Sequence, residues 1–88
     1  MAREHELKCL PGFFREVWTE KKKFEIRKDD RGYRSGDRVL LREFDGEQYT
    51  GREVMADILY ILRGCPEYGL AEDYCILSLG NIVRGIKA

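Results

Sequence analysis

Apolar and polar positions alternate through most of the chain, and the period changes only twice. From His5 to Leu10, Leu7 and Cys9 alternate with Glu6 and Lys8, the spacing of a strand with one buried face. Pro11-Gly12 ends that run. Proline is also a good opening residue for a helix, and Phe13, Phe14, Val17 and Trp18 then recur on one helical face, predicting a short helix to about Glu20. Each of these large groups stabilises by about 1.5 to 3 kcal/mol if buried, so the helix is expected to plug or cap a core. At Lys23 the period returns to two, with Phe24 and Ile26 on one side and Lys23, Glu25 and Arg27 on the other.

Asp29 to Gly36, with paired Asp, two Gly and Ser35, reads as a loop. Arg38 to Phe44 is the next strand, closed by an Asp45-Gly46 turn. A third β segment spans about Arg52 to Leu62, long enough to bend or to serve two faces of a barrel. Arg63 to Asp73 reads as a further loop and Tyr74 to Leu79 as a last strand, while the tail Asn81 to Ala88 is left unplaced. These elements predict an α+β, mainly β, fold: a small, partly closed β-barrel with one short helix between the first two strands, lying over one mouth. An open sandwich of one sheet and one helix is the alternative.

With 88 residues, the chain is expected to be a single domain, 1–88, with one core and no second lobe. A site must then lie in a surface groove or across a dimer. The polar N-terminus does not read as a signal peptide, and no apolar run reaches the roughly 18 residues of a membrane span. A cytoplasmic protein without a membrane partner is expected. Cys9, Cys65 and Cys75 lack C-x-x-C spacing and His5 is the lone histidine, so neither a metal site nor a cofactor is expected. Chemistry is left to Lys, Arg, Glu, Asp, Tyr and Thr.

Sixteen Lys and Arg balance sixteen Asp and Glu, which argues against bulk polyanion binding. The balance is segregated, however. Residues 21–42 hold nine basic side chains against four acidic ones, a local +5 that the remainder offsets with −5. Such a stripe suits phosphate recognition, because each Lys or Arg neutralises a phosphate and Arg adds a planar fork. Tyr33 and Trp18 are candidate stacking surfaces, although helical spacing marks Trp18 first as a core residue. The plainer alternative is a solvated strand face, with Lys22, Glu25 and Arg27 as a surface ion-pair group. Lys8 and His5, taken as the polar side of the first strand, are candidates to line the same cleft. Arg52 follows Gly51, where a ligand can approach the backbone, and Asp37 is expected to close the turn into its strand.

The strings E-K-K-K-F-E-I-R-K (20–28) and R-S-G-D-R-V-L-L-R-E-F (34–44) resemble the ASCH group of PUA-like domains, whose motif reads roughly G-[KR]-K-T-x-[ETS]-I-R followed by x-x-G-D. H-E-L-K-C-L-P-G-F-F, Y-T-G-R-E-V, Y-I-L-R-G and G-L-A-E-D-Y-C-I-L-S narrow the resemblance to a small uncharacterised family common in phages and prophages, over about residues 4–79. It implies a PUA-like barrel with a cleft for RNA or a nucleotide, and Lys8, Lys22, Lys23, Glu25, Arg27 and Arg52 are the candidates to line it. It also implies a possible amidohydrolase on acetylated cytidine nucleosides, in which Lys22 falls on the base and is the one candidate for it. Glu25 stands where that enzyme pattern has its nucleophile, Lys23 replaces the Thr after the Lys, and no segment matches the helix that supplies a Glu. The sequence therefore leans away from an enzyme. A phage or host regulator that binds protein through the acidic second half is the third reading.

Overall fold

The computed structural model describes residues 2–87. Its elements run β1 (Glu4–Cys9), α1 (Pro11–Trp18), β2 (Phe24–Lys28), β3 (Arg38–Phe44), β4 (Tyr49–Cys65), a 3-10 turn (Pro66–Tyr68) and β5 (Leu70–Ile86). The fold is mainly β with one short helix, placed between the first two strands as the periodicity predicts.

All strands join one sheet in the order β1-β3-β4-β5-β2, with β1 parallel to β3 and the other pairings antiparallel. The sheet curls into a half-barrel, which brings its two edge strands, β1 and β2, toward each other. Side chains bridge that seam: Arg27 Nη2 donates to the Lys8 carbonyl at 2.6 Å and Arg31 Nη1 to the Glu6 carbonyl at 3.0 Å. The concave side is filled by alternate residues of β1, β3, β4 and β5, including Leu7, Val39, Leu41, Val54, Ile58 and Leu77. Helix α1 inserts Phe14 and Val17 into this core. Trp18 packs against the core while half-buried.

Two expectations about the C-terminal half are corrected. The segment read as a loop from Arg63 to Asp73 is mostly strand, and residues up to Ile86 of the unplaced tail continue β5, where Ile86 pairs with Arg52 and Arg84 with Val54. Both long strands change register at bulges between Met55 and Asp57, Ile58 and Tyr60, and Arg63 and Cys65. Each bulge breaks the strict alternation by which a strand is recognised. At Gly64 a Cβ would collide with the backbone of Glu72, so glycine permits the close approach at the last bulge.

His5 and Tyr33 are also corrected. His5 shares the inward parity of Leu7 and Cys9, opposite to Lys8, and is buried with Nε2 2.8 Å from Asp37 Oδ2. Tyr33 is no exposed stacking platform: it is buried, with its ring centroid 4.7 Å from that of His5. Asp37 does close the turn before β3. Its carboxylate accepts from the Arg3 and Arg34 backbone N–H groups as well as His5. Burial alone raises the Asp37 pKa, but these hydrogen bonds outweigh it and hold the carboxyl below its ordinary range.

Candidate functional site

A groove of about 580 Å³ opens where the end of β1, the start of α1 and the whole of β2 converge. Its location follows from β2 being an edge strand. Glu25 and Arg27 take the concave parity, while Phe24 and Ile26 stand on the other side, about half-exposed. Leu10 and Phe13, where the chain turns from β1 into α1, complete an apolar wall, and Lys8, Lys28 and Tyr74 also line the groove.

Glu25 lies at the base of this space and is only 3% exposed. Its Oε1 accepts from Lys22 Nζ at 2.6 Å and its Oε2 from Arg27 Nε at 3.0 Å, with Arg27 Nη2 in ion-pair contact at 2.9 Å. Lys22 is held on a second side by the Phe24 carbonyl at 2.6 Å. The turn after α1 sets that geometry: the N–H groups of Lys21 and Lys22 both donate to the Glu16 carbonyl, and Glu20 takes a left-handed φ of 60°. Both cations are thus fixed against one carboxylate rather than extended into water. A carboxylate has about four lone-pair sites and two N–H groups donate to them here, so Glu25 retains acceptor capacity.

Cys9 projects beneath this group. Burial, then the nearby Glu25 charge, push its thiol pKa up to about 11, against the opposing influence of Lys22 and Arg27. Burial likewise raises Cys75. Neither thiol is a ready nucleophile at neutral pH. Alkylation of the native protein at pH 8 with iodoacetamide is expected to modify half-buried Cys65 and spare Cys9 and Cys75, read by peptide mass mapping. Rapid modification of Cys9 would contradict this account.

The residues singled out in the sequence divide into two groups. Lys8, Lys22, Glu25 and Arg27 meet in the groove. Lys23 and Arg52 do not. Lys23 is exposed, and its carbonyl accepts from Leu79 N–H at the far side of β2. Arg52 lies in β4, where Nε and Nη2 each reach a Glu43 oxygen at 2.8 Å and the guanidinium stacks 5.2 Å from the Trp18 ring. Its hydrogen bonds, with that of Thr50, hold buried Glu43 below the ordinary carboxylate range. Leu10, Phe13, Phe24, Ile26 and Lys28 were not read as site residues. Their signal is the strand F-E-I-R-K itself, in which two large apolar groups oppose a carboxylate flanked by cations.

Residues 4–79 match the model of a family described as a domain of unknown function, DUF3850. This chain belongs to the DUF3850 family. The DUF3850 match spans β1 through most of β5 and includes the whole groove. A relative described as an uncharacterized 12.9 kDa protein in the GpA 3′ region of Escherichia phage P2 is 43% identical over 85 residues, covering 94% of this chain and 75% of the phage protein. This DUF3850 chain therefore has a phage homologue. Among its described residues no helix is long and apolar enough to cross a membrane.

Proposed function

We propose that the groove binds a nucleotide or a short single-stranded RNA segment, as expected of a PUA-like domain of the ASCH type. The observation that carries this reading is buried Glu25 at the base of an open apolar groove, with two oriented cations and acceptor capacity to spare. A base stacked along Phe24 or Phe13 presents an amino or imino N–H to that carboxylate. Stacking of a base on an aromatic side chain is worth about 1 to 3 kcal/mol and tolerates any base, while the edge contact adds selectivity. Glu20 supports the ASCH-type reading as well. Its left-handed backbone stands where the motif G-[KR]-K-T carries glycine, the residue that adopts this conformation without steric cost.

The amidohydrolase reading is the weaker one. Lys22, its candidate base, is committed to Glu25 and the Phe24 carbonyl, and no Ser or Thr lines the groove. Fluorescence anisotropy with labelled single-stranded RNA of each base composition tests the proposal. Wild-type binding is expected to weaken with salt, and Phe24→Ala to lose about 5- to 150-fold in affinity, the range set by one stacking contact. A variant carrying both Lys22→Ala and Arg27→Ala should lose binding. Equal affinities for that variant and the wild type would overturn the groove assignment.

A further inference from the structure

A second, smaller pocket of about 170 Å³ adjoins the groove along the β1–β2 seam and shares Arg27 and Lys28 with it. Arg31 and Asp30 form its outer side, and Leu7 and Tyr33 its inner side. We infer, building on the groove reading above, that this pocket seats the phosphate of the ligand whose base occupies the groove. The ligand class is then a nucleoside phosphate or a phosphodiester-linked base, not a bare base or nucleoside.

The donors are unusually well placed for that purpose. Arg31 makes no salt bridge among the described residues, because its Nη1 is anchored by the Glu6 carbonyl. A neutral partner fixes its direction and leaves its full charge available. Arg27 spends Nε and Nη2 on Glu25 and the Lys8 carbonyl, whereas its Nη1 donates to no described partner. Lys28 is exposed and forms no described ion pair. Tyr33 lines this pocket, and its hydroxyl makes no hydrogen bond to another described residue. Asp30 is the one opposing charge, and it lies exposed at the rim. Three cations against one carboxylate, with the Tyr33 hydroxyl as a further donor, fit a phosphate group.

Arg27 links the two sites through one guanidinium. Nε and Nη2 orient Glu25 beneath the base, and Nη1 remains for the phosphate. A ligand filling both spaces is recognised at its base edge and at its charge by the same side chain. This makes the distance between base and phosphate a selective feature.

Isothermal titration of the intact protein with the four nucleosides, their 5′- and 3′-monophosphates and the corresponding dinucleotides tests the inference. At least one monophosphate or dinucleotide is expected to bind tenfold or more tightly than its nucleoside. Arg31→Gln should reduce that preference to near unity while leaving nucleoside affinity unchanged, and Lys28→Gln should reduce it in part. Preference for a monophosphate points to a free nucleotide, and preference for a dinucleotide to a strand. Both support a phosphate seat. Equal affinity for nucleoside and phosphorylated forms would overturn the seat while leaving the groove reading intact. Absence of binding by every compound would overturn both.

Discussion

Replacing Glu25 with alanine is expected to cost about 3 kcal/mol of stability and to remove base-selective binding from the groove. The stability figure is the lower end of the range for breaking a buried ion pair, because the side chains of Lys22 and Arg27 remain 15% and 25% exposed and regain some hydration. Function suffers more directly. Without Glu25 the ligand loses the carboxylate acceptor at the base of the groove, and both cations lose the anchor that directs them. Net positive charge in the groove rises, so weak salt-dependent anion binding should persist while discrimination between bases disappears. Cys9 supplies an independent readout. Removing the Glu25 charge lowers the Cys9 pKa from about 11, so the thiol of Glu25→Gln should alkylate faster than wild type at the same pH. Unchanged base preference in a folded Glu25→Gln protein would refute the role assigned to this carboxylate.

Asp37→Ala is expected to damage the fold as much as the loss of Glu25. The carboxylate is buried and accepts from His5 and from the backbone of Arg3 and Arg34, so truncation leaves these donors without partners. Each buried unsatisfied group costs about 1 to 3 kcal/mol, and a total near 3 kcal/mol corresponds to a fall in Tm on the order of 12 °C for a domain of this size. The sign of the pH dependence follows from its lowered pKa. The unfolded chain binds the proton more readily, so the stabilisation is complete above the ordinary carboxylate range near pH 4. It is lost as pH falls through the lower folded value. Thermal melts followed by circular dichroism should show wild-type Tm falling steeply below about pH 4 and Asp37→Asn, melting lower at neutral pH, falling less steeply. A Tm drop of only a degree or two for Asp37→Ala would refute this assignment.

The N-terminal half was the more legible in the sequence. Leu7 and Cys9 gave the inward face of β1, the four large groups after Pro11 gave α1, and Arg38–Phe44 emerged with its observed ends. There, local pattern and tertiary environment agree. They diverge in β4 and β5, where bulges shift the face presented to the core and Gly64 occupies a strand interior for reasons visible only in Glu72 opposite. His5 was misassigned because its polarity outweighed its parity, and its partner Asp37 lies 32 residues away. Glu25 was legible as one member of an ion-pair group, but not as a buried one. Burial follows from the seam between β1 and β2, which no local window contains.

The strand order has a consequence for how this chain acquires its shape. β3, β4 and β5 form a continuous meander whose neighbours follow one another in sequence, whereas β1 and β2 attach to its two outer edges. β1 therefore emerges from the ribosome before its partner β3, and β2 must wait for β5, which is made well after it. The meander is the natural nucleus, with the N-terminal segment wrapping it afterwards at the entropic cost of closing long loops. Assembly therefore reverses the order of synthesis. The groove, which needs β1, α1 and β2 in place together, is the last feature to form.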